Sequence, residues 1–175
     1  MRVEHGRTWH TAERRRSFTT RDGIEILHEN RSMTDLSFIA DGSVDLVFSG
    51  ESIEHVTRED GTHVLTEAFR ILRPGGSVCI DTPNAFFTRM QSPDELVHPE
   101  HAHEYTVEEL RYLVRDAGFE IVRELGICAL RRARATGVFD ETEIIDGRGL
   151  CPDPEDGYLF YVEGRKPSAT RAFEP

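Results

Sequence analysis

The sequence predicts an α/β fold in which strands and helices alternate, and three observations carry that reading. "SVDLVFS" (43–49) and "SVCIDT" (77–82) are apolar runs of strand length, as expected where both faces of a strand are covered. Between them, from about Glu59 to Leu72, the apolar residues Val64, Leu65, Ala68, Ile71 and Leu72 recur at the spacing of one helical stripe. Pro74 and the pair Gly75-Gly76 then stop the helix and turn the chain into the second run.

The remaining elements follow in order. "GIEILHE" (23–29) reads as a short strand, and Asp41-Gly42 marks the turn into 43–49. Thr106 reads as an N-cap, with Glu109 three residues later completing a capping box. Leu110, Leu113, Val114 and Ala117 line one face of the helix that follows, and Gly118 ends it. "FEIVREL" (119–125) and "GYLFYVEGRK" (157–166) are the last two strands. The segment between them, 126–156, reads as an insertion, basic first and acidic later. One domain is expected over 1–167, with 168–175 as a tail.

Composition narrows the function classes. The 175 residues carry a formal net charge of −11, a hydrophobic fraction of 38% and a mean hydropathy of −0.47. Such a charge repels phosphate backbones, so nucleic acid is not the expected partner without a local basic patch. Arg14, Arg15 and Arg16 form one basic cluster and Arg131, Arg132 and Arg134 another, but neither is interleaved with aromatics. Both read as solvated arginines. No run reaches the roughly 18 apolar residues of a membrane span, and the N-terminus lacks an apolar signal core. Cys79, Cys128 and Cys151 form no C-x-x-C and read as reduced thiols of a cytoplasmic protein.

The combination "DLSFIADGSVDLVFSGESIEHV" (35–56), "LTEAFRILRPGGSVCIDTPN" (65–84) and "HEYTVEELRYLVRDAGFEIV" (103–122) resembles the C-terminal two-thirds of class I S-adenosylmethionine-dependent methyltransferases. The resemblance implies a Rossmann-like sheet and S-adenosylmethionine as cofactor. It places the methionine part near Ser49 and Gly50, and the adenine after strand 23–29, around Ser32 and Met33. A second reading of Gly50 is that it merely permits a tight strand-to-helix turn. The family's glycine loop has no counterpart, because Gly6 and Gly23 are the only glycines before residue 42. Gly147-x-Gly149 falls in the late insertion and reads as a loop. A βαβ unit needs about 30 residues; "MRVEHG" is a candidate short second strand and "TAERRRSF" a stunted helix, with none for the first strand. The sheet is therefore expected to be incomplete at its N-terminal side, the chain being a fragment of a longer enzyme or a degenerate relative.

"ESIEH" holds the sharpest chemistry. On a helix, Glu51, Glu54 and His55 at i, i+3 and i+4 share a face and suit a divalent cation. The alternative is that the two glutamates favour a helix N-terminus through its dipole. The string resembles one in ubiquinone-biosynthesis O-methyltransferases and small-RNA 2′-O-methyltransferases. By resemblance to the RNA enzymes, His101 in "HAHEYT" is a fourth ligand for magnesium, and two histidines favour manganese. The H-x-x-H-x-H of His98, His101 and His103 suggests zinc only weakly, and His101 is the expected general base. Two functions stay open: methyl transfer to an oxygen of a small molecule or sugar, and an inactive methyltransferase-like partner or regulatory subunit. Strand 43–49, without a first-strand neighbour, is expected to be an edge covered by a second copy, by the chain's own N-terminal residues or by another subunit.

Overall fold

The computed structural model describes residues 15–168, and the chain divides into two compact units, Met1–Asp35 and Leu36–Pro175. In the first unit, β1 (Arg15–Thr19) and β2 (Glu25–Glu29) form an antiparallel hairpin that is its own two-stranded sheet. Residues 15–18 are thus strand, where a stunted helix was expected over "TAERRRSF". The cause is local: Gly23 takes φ 81 and closes the turn by donating to the Thr20 carbonyl, the work of an Asp-Gly pair. The proposed strand "MRVEHG" lies outside the described residues.

The second unit is built on a five-stranded sheet. Its strands are β3 (Val44–Gly50), β4 (Leu72–Pro83), β5 (Glu120–Ala129), β6 (Leu150–Cys151) and β7 (Gly157–Arg165), in the order β3-β4-β7-β5-β6. β3 and β4 are parallel, and their crossover is α1 (Arg58–Ile71), capped by Thr57. β7 runs antiparallel between β4 and β5. α3 (Val107–Asp116) starts at Thr106, whose hydroxyl accepts the Glu109 amide hydrogen at 3.2 Å. The box is only half made, because the Glu109 carboxylate turns instead to Arg58 (2.7 Å) and His103 (3.0 Å).

The apolar stripes of α1 and α3 meet one face of the sheet. Leu65, Ala68, Leu110, Leu113 and Val114 pack there with Val78, Ile80, Phe160 and Val162, all buried. Tyr105 lies fully buried in the same core, its hydroxyl pressed against Gly61 of α1. That hydroxyl has no hydrogen-bond partner among the described residues, and burial pushes its pKa up to about 12.

The other face of β3 differs from expectation. Leu46 and Phe48 point away from the helices and are 55% and 64% exposed, so β3 is covered on one side only. The alternation of a half-covered strand and the run of a fully covered one both fit "VDLVF", and sequence pattern alone does not separate them.

The 126–156 segment is ordered by its own charges. It contains α4 (Arg131–Thr136), α5 (Glu141–Asp146) and β6. Arg131 pairs with Asp156 (3.0 Å), Arg132 with Asp140 (2.7 Å), and Arg134 with Asp153 and Asp156. The basic cluster is therefore spent on the acidic half of the same segment. No helix among the described residues is long and apolar enough to cross a membrane.

Candidate functional site

β3 and β4 run parallel, with Ser49 opposite Ile80 and Gly50 opposite Asp81 at their carboxyl ends. In open α/β sheets that is where ligands sit. Gly50 has little room, since a Cβ there would come within 2.8 Å of the Phe48 ring. Glu51 then takes a left-handed backbone, φ 40, in which its amide donates to both the carbonyl and Oδ1 of Asp81, each at 3.1 Å. Such a conformation costs about 1–3 kcal/mol at a non-glycine residue, and it recurs at functional sites. It also removes Glu51 from any helix. Only Ile53–His55 form a 3₁₀ turn and α1 begins at Arg58, so Glu51, Glu54 and His55 do not share a helical face as the spacing predicts. Burial, then repulsion from Asp81 and Glu54, raises the Glu51 carboxyl above its ordinary range.

The turn nonetheless brings three of the four expected ligands together. Ligand atoms of Glu54, His55 and His101 all lie within 4.8 Å of one another, and Glu51 stands outside that group. Glu54 is 1% exposed. Its Oε2 accepts from the Thr82 hydroxyl on β4 at 2.8 Å, leaving Oε1 at 4.0 Å from His55 Nε2. Its backbone carbonyl accepts from the amides of Ala102 and His103, which pins the histidine loop against the turn.

Each imidazole is oriented through its other nitrogen. His55 Nδ1 lies 3.1 Å from the Glu100 carbonyl oxygen, which can only accept, so Nδ1 carries the hydrogen and Nε2 the lone pair. His101 Nδ1 lies 2.9 Å from Glu104 Oε1. Burial alone would raise the Glu104 carboxyl, but hydrogen bonds from Thr88, His101 and the Val97 amide outweigh it and hold the group below its ordinary range. Glu54, His55 and His101 could together hold a cation, and each has an outer partner of the kind that metal ligands use.

The other expected residues fall elsewhere. His98 ring lies 5.4 Å from that of His101, but His103 turns to Glu109, so the H-x-x-H-x-H trio does not gather. Ser49 sits at the strand end with a buried hydroxyl that has no partner among the described residues, an orphan that suits a polar ligand group. Ser32 and Met33 belong to the first unit, where the Ser32 hydroxyl contacts that of Thr34 at 2.7 Å. Reasoning on sequence missed Thr82, Thr88 and the role of Glu104. "DTPN" and "HEYT" carried them as motif letters, without a sign of burial.

The profile of the methyltransferase domain family matches residues 9–80. A probable S-adenosylmethionine-dependent methyltransferase of Mycolicibacterium smegmatis is 36% identical over 104 residues, 59% of this chain and 38% of that protein. One from Mycobacterium tuberculosis is 31% identical over 125 residues, 71% of this chain and 43% of its own. The chain thus spans about two fifths of the length of these curated relatives. Among solved structures, a Thermotoga maritima S-adenosylmethionine-dependent methyltransferase, a possible histamine N-methyltransferase, superposes with a TM-score of 0.60 at 22% identity, over 78% of this chain and 62% of that one.

Proposed function

Because this chain belongs to the class I S-adenosylmethionine-dependent methyltransferases, we propose that the carboxyl ends of β3 and β4 form the acceptor side of a methyl-transfer site acting on a hydroxyl of a small molecule or sugar. The observation that carries the reading is the convergence of Glu54, His55 and His101 beside the strand ends, each held by its own outer partner.

S-adenosylmethionine, the family's cofactor, supplies an electrophilic methyl group when bound. Ser49 and Gly50 are proposed to meet its methionine part, supported by the orphaned Ser49 hydroxyl. Glu54, His55 and His101 would hold a divalent ion, and two imidazoles favour manganese over magnesium. A bound ion supplies Lewis acidity that lowers the pKa of an acceptor hydroxyl. The chain's own part is to hold these three groups still: Thr82 fixes Glu54, and the Glu100 carbonyl and Glu104 fix the two rings. In an ion-free site, the lone pair of His101 Nε2 is the group to take the acceptor's proton. Exposed Leu46 and Phe48 support a second copy or partner at the β3 edge, and three free thiols support a reducing compartment.

The test is transfer of a tritiated methyl group from S-adenosylmethionine to a panel of polyols, sugars and phenols, with manganese added or chelated. Transfer that needs manganese and disappears in Glu54→Ala and His101→Ala is the expected result. Transfer indifferent to chelation removes the ion from the reading. A chain that shows no cofactor binding by calorimetry and no transfer to any hydroxyl overturns it.

A further inference from the structure

Glu104 is a carboxylate with only 3% of its surface exposed, and among the described residues it is not paired with any lysine or arginine. Three donors converge on it instead. Thr88, from α2 (Ala85–Gln91), donates its hydroxyl to Oε2; the Val97 amide donates to Oε1 at 2.8 Å; and His101 Nδ1 approaches Oε1 at 2.9 Å. An ionised carboxylate only accepts, so all three contacts require the hydrogen on the partner. Because Thr88 and Val97 anchor it from a helix and from a separate loop, the carboxylate cannot rotate to follow the ring. The ring must follow it.

We infer that Glu104 is the positioning residue of His101, a buried carboxylate that holds the imidazole in its Nδ1–H tautomer and so presents an unprotonated Nε2 to Glu54 and His55. A free neutral imidazole side chain prefers the opposite tautomer, with its hydrogen on Nε2. Without Glu104, the preferred form would place a hydrogen on Nε2, the nitrogen that the Glu104 contact leaves free.

The neighbouring histidines show how sharply the loop discriminates. His55 is held in the same tautomer as His101 by the Glu100 carbonyl at 3.1 Å. His98, whose ring is 5.4 Å from that of His101, is held in the other: its Nδ1 accepts the Glu100 amide hydrogen at 3.2 Å, so a neutral ring carries its hydrogen on Nε2. Glu100 therefore sets two adjacent rings oppositely, through its carbonyl and its amide. The two imidazoles of the three-residue cluster, His55 and His101, are those whose Nδ1 faces an acceptor oxygen.

The inference rests on the proposed site only for what Nε2 is used for, and the tautomer is measurable in the metal-free protein. Long-range proton–nitrogen correlation of the imidazoles at about pH 8, above the usual histidine range, reads it directly, with peaks assigned from His55→Gln, His98→Gln and His101→Gln. Nδ1–H is expected for His55 and His101, and Nε2–H for His98. Glu104→Ala should move His101 toward Nε2–H and weaken manganese or cobalt binding about 10–100-fold. Glu104→Gln should restore the tautomer, since its amide oxygen can accept from Val97 and His101 while its nitrogen donates to Thr88. A wild-type His101 with its hydrogen on Nε2 overturns the inference, as does a folded Glu104→Ala protein with an unchanged tautomer. Should Glu104→Ala fail to fold, the wild-type spectrum decides alone. A wild-type protein that binds neither manganese nor cobalt defeats the ion reading and leaves the tautomer result standing.

Discussion

The hydroxyl of Thr82, next to last in β4, donates to Oε2 of the buried Glu54 at 2.8 Å, and so ties the strand end to the turn that carries Glu54 and His55. A hydrogen bond to a buried charge contributes about 1.5–3 kcal/mol, and its loss leaves the carboxylate unsatisfied. Thr82→Val keeps the shape and removes the donor. Urea denaturation should show a loss of about 1–3 kcal/mol, together with weaker manganese binding. An unchanged midpoint would mean that Glu54 finds another donor.

Glu54→Gln separates charge from geometry in the same contact. The amide keeps a hydrogen-bonding partner for Thr82 but withdraws the negative charge from the two imidazole lone pairs. Manganese affinity, read by electron paramagnetic resonance, should fall at least tenfold, while the melting temperature stays close to wild type. Equal affinity in both proteins would show that the ion, if bound, sits elsewhere.

Gly61 and Tyr105 make a prediction that runs against helix propensity. Alanine within a helix is favoured over glycine by about 1 kcal/mol, yet a Cβ at Gly61 would collide with the Tyr105 hydroxyl. Gly61→Ala should therefore destabilise by about 1–3 kcal/mol, the usual cost of overpacking. Tyr105→Phe removes a buried hydroxyl that has no partner among the described residues, so it should be neutral or stabilising alone and should rescue Gly61→Ala. A non-additive double mutant in thermal melts is the expected signature, and additive effects would sink the contact.

Acid should loosen the α1–α3 junction through Glu109. Burial raises that carboxyl, but hydrogen bonds from Arg58 and His103 outweigh it and leave the folded group below its ordinary 4.5. A depressed folded value means that the stabilisation is present above the unfolded value and is lost as pH falls through the folded one. Melting temperature should drop between about pH 5 and pH 3, and the drop should flatten in Glu109→Gln. An equally steep variant would assign the acid transition to other carboxyls.

Leu46 and Phe48 leave an apolar strip on the exposed face of the edge strand β3. Light scattering on a sizing column should find a dimer or larger species that Phe48→Glu shifts toward monomer. A wild-type monomer at high concentration would dismiss self-association.

The sequence by itself determined those features that depend on one segment's periodicity or on a local turn. The α1 stripe, the Thr106 cap of α3, the strand at 157–165 and the placement of Ser49 and Gly50 at a strand end were all legible this way. The Asp22-Gly23 turn is local too, and it makes residues 15–18 strand instead of helix. Only the tertiary structure decided which charges are buried. Glu54 depends on Thr82, 28 residues away, and Glu104 on Thr88, 16 residues away; no pattern within either motif reports such partners. The left-handed turn at Glu51 is likewise set by Asp81, on a neighbouring strand, which is why a helical spacing rule misplaced that residue. Periodicity records which face a segment buries, whereas the protonated edge of an imidazole depends on what other segments bring to it.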